Sequence, residues 1–140
     1  MKKILIFTTA LLMHLSHGFG QRNTKVADKI TGQYWSPKKN AKMQVYAKGE
    51  KYFGKFIWLA SPRKDTKNPN ETLRKRELVG VEFLTDFSYD DGTYTGGKIY
   101  DPESGKTYDS KMSINGDNLN IRGYIGISLF GRTEIFERVR

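Results

Sequence analysis

The chain has 140 residues, which gives room for one domain. It contains no cysteine, so disulfides, thiol nucleophiles and a lipid-modified cysteine are all excluded. Its formal net charge is +9 at pH 7, a balance that suits nucleic acid, anionic lipid or polyanionic glycan and that first of all favours solubility.

The first twenty residues have the layout of a secretory signal peptide. Lys2 and Lys3 precede a mostly apolar run, Ile4 to Leu15, and small residues follow in Gly18-Phe19-Gly20. This pattern predicts a signal peptide over residues 1–20, cleavage before Gln21, and a periplasmic or secreted mature protein. The apolar run of the signal peptide is short for a membrane span. No transmembrane segment is predicted in the mature chain.

Cleavage there would remove the only histidines of the chain, His14 and His17. The mature protein would then lack both histidine and cysteine, which excludes the usual zinc sites and histidine-based catalytic triads. No catalytic residue, metal site or cofactor is predicted. Nucleic acid is a poor partner for an exported protein, and none is expected.

The remaining chain is predicted to comprise an N-terminal tail, residues 21–28, and one β domain, residues 29–140. The first clear hairpin pairs an alternating run around Met43 to Ala47 with the aromatic-rich run Lys51 to Ala60. A tight turn at Lys48-Gly49-Glu50 joins the two runs.

A long polar connection follows, from Ser61 to Glu77, with one helical turn expected around Glu71 to Lys75. It is strongly basic and could capture a carboxylate or a phosphate. A mobile surface loop and a ligand-contacting loop are both compatible with this composition.

The second half alternates strand-like runs with turn signals every 8–12 residues. Asn115-Gly116 is the strongest hairpin signal, and Gly96-Gly97 predicts a bulge or a bend within a strand. The predicted strands are Glu77 to Phe87, Thr93 to Tyr100, Lys106 to Ile114, Leu119 to Ile125 and Phe130 to Val139. The fold class is therefore all-β, an antiparallel meander of about eight or nine strands that closes into a small barrel.

Period-two alternation places Arg122 and Tyr124 on one face of their strand and Ile121, Gly123 and Ile125 on the other. If the apolar face fills the barrel, Arg122 points outward. If the polar face lines the interior, Arg122 and Tyr124 join Lys98 and Tyr100 in a pocket for an anion. Acidic residues at Asp90-Asp91 and Asp101 to Glu103 lie in turn sequences, where they serve local hydrogen bonding more often than catalysis.

Four segments carry a family resemblance: "GKFIWL", "NPNETLRKRELVG", "GGKIYDPESGKTYDSKM" and "RGYIGISLFGRTEIFERV". Together they make residues Ile30 to Arg140 resemble the DUF2147 family of small exported bacterial proteins. Members often carry a cysteine where this chain has Ser110, so no role of that thiol transfers. The start of the domain, Gly32-Gln33-Tyr34-Trp35, is similar to the Gly-x-Trp motif of lipocalins, which implies a lipocalin-like barrel.

The leading hypothesis is a non-enzymatic, exported barrel that binds a small anionic or amphipathic molecule or an envelope component. The predicted ligand-contacting residues are Trp58, Lys98, Tyr100, Asp101, Arg122 and Tyr124. Trp58 would supply apolar contact, Lys98 and Arg122 would meet an anionic group, and the tyrosines would hydrogen-bond, while Asp101 is expected to fix its turn. Two alternatives stay open: a carboxylate-dependent hydrolase of envelope glycan, and a filled barrel that acts as a structural or protein-interaction module.

Overall fold

A computed structural model describes residues 24–140. The predicted signal peptide and residues 21–23 of the predicted tail lie outside the described residues. A short helix α1 (Thr24–Ala27) and a 3-10 turn (Asp28–Ile30) precede eight strands. The strands are β1 (Gly32–Trp35), β2 (Ala41–Lys48), β3 (Lys51–Leu59), β4 (Glu82–Asp90), β5 (Thr93–Asp101), β6 (Lys106–Asn115), β7 (Asn118–Tyr124) and β8 (Gly131–Arg138).

The eight strands form one closed antiparallel barrel in chain order, as the sequence predicted. Closure is made by β1 and β8, where Tyr34 lies opposite Arg138 and Trp35 opposite Glu137. Because each strand reverses direction, the connections alternate between two ends of the barrel. The open end carries residues 36–40, 60–81, 102–105 and 125–130, and the closed end carries the tight turns and both ends of the described chain.

Local sequence explains the hairpins at the closed end. Gly49 and Gly116 adopt positive φ in two-residue turns, a conformation that glycine enters without steric cost. The predicted bulge is confirmed, because the β5–β6 register shifts between Tyr94 and Gly97. The strand predicted from Glu77 begins only at Glu82, since Gly80 with φ of 95° interrupts the extended backbone.

The closed end is filled by large side chains. Tyr34, Val45, Phe87, Met112 and Leu119 are all fully buried in one hydrophobic core. The fit is close, because a Cβ atom at Gly97 would lie 2.5 Å from the Phe87 ring. Such packing leaves this half of the barrel without room for a ligand.

The segment before β1 plugs this end, which differs from the loose tail expected for residues 21–28. Ala27 and Ile30 are buried, and their carbonyl oxygens accept hydrogen bonds from the Tyr94 and Tyr34 hydroxyls. The Tyr52 hydroxyl donates to the Asp28 carboxylate at 2.7 Å. Polar residues surround two apolar anchors here, which is why the local composition predicted a tail.

Arg138 joins the plug to the barrel seam. Its guanidinium donates to the carbonyl oxygens of Lys29 and Thr31 at 2.7 and 2.9 Å, and to the Tyr34 hydroxyl at 2.7 Å. The same group lies 4.8 Å from the centre of the Tyr34 ring. One arginine therefore satisfies backbone acceptors of the plug and covers the aromatic ring on β1.

Candidate functional site

The open half of the barrel contains a cavity of about 1000 Å³. Phe56, Phe83, Ile99, Ile121 and Phe136 contribute apolar walls. A volume of this size excludes the filled barrel that the sequence left open, and it falls in the range of small-molecule sites.

The cavity exists because side-chain volume is unevenly distributed along the barrel. Ala41 and Gly123 line it and project little or nothing into it. The Phe56 and Phe83 rings stack on each other with centroids 4.0 Å apart. Toward the closed end the inward positions hold tyrosine, phenylalanine, methionine and leucine, and the space disappears.

Charged and polar groups surround the mouth of the cavity. Arg132 on β8 pairs with Glu134 at 3.2 Å, and both line the cavity. Arg63 of the long connection pairs with Glu103 of the β5–β6 turn, and this bond lowers the pKa of the Glu103 carboxyl. Lys38 from the β1–β2 connection completes a basic rim, defined here as Lys38, Arg63 and Arg132.

The long connection, residues 60–81, is fixed beside the mouth by Asp65. The Asp65 carboxylate is fully buried and accepts hydrogen bonds from Tyr100 at 2.5 Å, Asn68 at 2.8 Å and Arg76 at 2.9 Å. Burial opposes its charge, but these donors together outweigh burial and lower the pKa of Asp65. Burial and the bond to Asp65 raise the pKa of Tyr100 to about 12.

Three of the predicted contact residues line the cavity: Tyr100, Asp101 and Tyr124. The Tyr100 hydroxyl donates to Asp65, so this hydroxyl is already engaged. Asp101 accepts hydrogen bonds from the Glu103 backbone amide at 2.9 Å and the Ser104 hydroxyl at 2.8 Å, which is the turn-fixing role expected of it.

Trp58 and Lys98 lie outside the cavity lining. Trp58 is 43% exposed on the outer wall, where its ring meets the Trp35 ring edge-on with centroids 5.8 Å apart. The Lys42 ammonium group lies 4.3 Å from the centre of the Trp35 ring. Lys98 pairs with Asp109, its register partner on β6, and lines only a small surface hollow. The structure therefore does not place these two residues in the cavity with Tyr100, Asp101 and Tyr124, although Lys98 shares the small hollow with Tyr100.

Arg122 also lies outside the cavity, because its neighbours Ile121 and Gly123 face inward. Its guanidinium donates to the carbonyl oxygens of Ser128 and Leu129, at 2.6 and 3.3 Å, and to the Thr133 hydroxyl at 2.8 Å. The apolar face thus lines the interior, and Arg122 braces the connection between β7 and β8 from outside.

Comparison with known families places the chain. The family described as "Uncharacterized protein conserved in bacteria (DUF2147)" matches residues 32–138, which is most of the chain. The chain belongs to the DUF2147 family.

A solved structure supports the same fold for this DUF2147 protein. Protein HP1028 from the human pathogen Helicobacter pylori, described as belonging to the lipocalin family, is similar with a TM-score of 0.74 and 25% sequence identity. The match covers 80% of this chain and 84% of HP1028. The barrel is therefore lipocalin-like, as the Gly32-Gln33-Tyr34 motif suggested. No curated protein sequence matches the chain.

Sequence reasoning missed most of the residues that shape the cavity of this DUF2147 protein. Phe83, Ile99, Tyr108, Ile121 and Phe136 line it, together with Glu134. Alternation on β7 already identified an apolar face, so a search for the ligand on that face would have found Ile121. Arg132 and Glu134 lie on the same face of β8 as Phe136. Alternation could not identify that face, because both faces of β8 carry polar residues.

Among residues 24–140, no helix is long and apolar enough to cross a membrane. Within the same range, no group of three or more histidine, cysteine or acidic residues lies close enough to hold a metal ion.

Proposed function

We propose that this DUF2147 protein is an exported, non-enzymatic binder of a small amphipathic molecule. The apolar part of the ligand would occupy the cavity, and an anionic group would lie at the basic rim. The observation that carries the proposal is the cavity of about 1000 Å³, which is apolar within and opens at a mouth lined by Lys38, Arg63 and Arg132.

The distribution of polarity supports an amphipathic ligand over a wholly polar one. Phe56, Phe83 and Ile99 would desolvate an apolar body, and burial of such surface is the main source of affinity in pockets of this kind. The rim arginines face carboxylates that are already paired, so an anionic ligand group would share Arg132 with Glu134 or replace Glu134 there.

The acidic residues at the mouth give no support to a hydrolase. Glu103 has a lowered pKa, whereas a general acid needs a raised one. Asp101 is held by two hydrogen bonds of its own turn, and Glu134 is paired with Arg132.

Two fluorescent probes test the proposal: anionic anilinonaphthalene sulfonate and uncharged phenylnaphthylamine. We expect both to bind, and we expect Ala41→Trp, which places a large ring in the cavity, to weaken both by at least about tenfold. Ala47→Trp is the matched control, because Ala47 lies exposed at the other end of the same strand. Equal loss in the two variants, or no binding by the wild type, would contradict a cavity site.

Arg132→Gln tests the position of the anionic group. It should weaken the sulfonate probe by about tenfold, the value of one charge-assisted contact, and leave the uncharged probe within about twofold. Native mass spectrometry of the protein purified from its own cell envelope would then identify the natural ligand by mass.

Export is part of the proposal and has a test of its own. Intact-mass measurement of the protein recovered from the periplasmic or secreted fraction should give a chain that begins at Gln21. Recovery of the full-length chain from the cytoplasm alone would overturn the assignment.

A further inference from the structure

The connection between β7 and β8 presents apolar side chains to solvent at the cavity mouth. Within residues 125–130, here called the apolar tip, Ile125, Ile127, Leu129 and Phe130 are 57–75% exposed. The segment carries no charge. Scattered apolar residues are normal on a protein surface, but four in one short connection mark a contact site.

The backbone of the apolar tip is fixed from the barrel side. Arg122 binds the carbonyl oxygens of Ser128 and Leu129, and the Lys111 ammonium group donates to the Ser128 hydroxyl at 3.2 Å. Gly126 adopts a φ of 75°, a left-handed conformation that turns the chain within the tip. The Ser128 and Leu129 polar groups therefore bond to the barrel, while the apolar side chains of the tip are exposed to solvent.

The apolar tip is continuous with the cavity. Ile125 and Phe130 are among the most exposed large hydrophobic residues of the described chain and also line the cavity. Ile125 and Phe130 thus connect the apolar tip to the apolar lining of the cavity. A folded protein bound at this rim would close the mouth. The acyl chains of a lipid bilayer would instead remain in contact with the cavity.

Charge distinguishes the two ends of the barrel. The open-end connections, residues 36–40, 60–81, 102–105 and 125–130, hold eight Lys and Arg and four Asp and Glu, a balance of +4 (eight minus four). The closed-end segments, residues 26–31, 49–50, 91–92, 116–117 and 139–140, hold two Lys and Arg and four Asp and Glu, a balance of −2 (two minus four). An approaching anionic surface would therefore orient the open end toward itself.

We infer that the open end docks on an anionic lipid surface, with the apolar tip inserted among the acyl chains and the basic residues of the open end against the headgroups. Four exposed apolar side chains beside a basic end suit shallow insertion into an anionic bilayer. This inference deepens the proposed function, because docking would place the cavity mouth where an amphipathic lipid component can enter or leave.

Vesicle flotation tests the docking without any cavity ligand. We expect the protein to float with phosphatidylcholine vesicles that contain about one third phosphatidylglycerol, and to float poorly with phosphatidylcholine alone. Ile127→Ser/Leu129→Ser should reduce the bound fraction by at least about tenfold. The control Val26→Ser/Ile135→Ser removes the same kind of exposed side chains away from the mouth and should bind as the wild type does.

A charge-matched pair tests the orientation. Lys38→Glu/Lys67→Glu alters the open end and should reduce flotation, whereas Lys29→Glu/Lys51→Glu makes the same change of charge at the closed end and should leave it nearly unchanged. Equal loss in both pairs would show adsorption without orientation and would overturn the inference.

Insertion depth gives a third readout. Leu129→Trp should show a blue-shifted emission and quenching by brominated acyl chains, measured above the signal of wild-type Trp35 and Trp58. Absent quenching would overturn insertion. Dimerisation that depends on Ile127 and Leu129, without vesicle binding, would assign the apolar tip to a second copy of the chain instead.

The two proposals fail separately. Ala41→Trp should lose probe binding and keep vesicle binding, while Ile127→Ser/Leu129→Ser should lose vesicle binding and keep probe binding, because neither residue lines the cavity. Loss of both activities in either variant would show a folding defect, which circular dichroism detects, or one shared site, which would overturn separate docking.

Discussion

The Tyr100 hydroxyl donates a hydrogen bond of 2.5 Å to the Asp65 carboxylate, across 35 residues of sequence. This contact fixes the long basic connection to β5 beside the cavity mouth. Asn68 and Arg76, from the same connection, complete the shell around the carboxylate. These contacts hold the connection against the barrel wall at the open end.

Asp65→Asn should lower the free energy of unfolding by about 3 kcal/mol, because a buried charge pair with Arg76 is broken. Urea denaturation followed by circular dichroism measures the change. Asp109→Asn is the control: its pair with Lys98 is solvent-exposed, so the loss should be at most about 1 kcal/mol. An equal loss in both variants would contradict the special role of Asp65.

The same carboxylate predicts a pH dependence. Its folded pKa is lower than the ordinary value of 3.8, so its stabilising contribution is complete above that value and is lost as the pH falls through the folded pKa. The difference in stability between wild type and Asp65→Asn should therefore stay constant from about pH 7 to about pH 5 and shrink only as the pH falls below 3.8. Denaturation at a series of pH values checks this, and a constant difference would refute it.

Arg122→Ala should loosen the apolar tip without opening the barrel. Three hydrogen bonds are removed, and we expect a loss of about 1–2 kcal/mol together with faster amide hydrogen exchange confined to residues 125–130. Hydrogen exchange with mass spectrometry resolves the segment. Arg132→Ala, which removes a neighbouring exposed arginine, should leave that exchange unchanged.

Arg138→Met should release the plug at the closed end. The carbonyl oxygens of Lys29 and Thr31 would lose their charged donor, and we expect a loss of about 3 kcal/mol. Limited proteolysis should then cleave near the plug before any strand. Arg140→Met is the comparison, because its partner Asp117 is solvent-accessible and the loss should be below about 1 kcal/mol.

Phe56→Ala and Trp58→Ala compare the two sides of β3. Phe56 lines the cavity, and its loss should weaken the uncharged probe by about tenfold. Trp58 faces solvent beside Trp35, and we expect its loss to leave the affinity within about twofold. Probe titration measures both, and a larger effect at Trp58 would restore that residue as a ligand contact.

Sequence predicted the parts of this fold that local chemistry controls. The turns at Gly49 and Gly116 follow from glycine at positions of positive φ, and the Gly96-Gly97 bulge lies where a bend was predicted. The alternation of Ile121 and Gly123 with Arg122 also predicted that Arg122 points outward if the apolar face lines the interior. Each of these features depends on residues that are near one another in the chain.

What could not be predicted depends on distant pairs. The cavity is lined by residues from strands far apart in sequence, such as Ala41 on β2 and Gly123 on β7. The engagement of Tyr100 by Asp65 requires a long connection to return to the wall. Ala27 and Ile30 read as part of a polar tail because their burial is created by Tyr34, Tyr52 and Tyr94 from three other strands.

Both ends of the described chain, Thr24 and Arg140, lie at the closed end, since β8 runs from the mouth toward the plug. A sensor chip or a bead coupled through the C-terminus would therefore hold the molecule upright, with its mouth toward the fluid. Fusion partners attached there would neither obstruct the cavity nor shield the apolar tip. For the same reason, the length of any linker attached at the closed end would determine how close the mouth can come to a second surface.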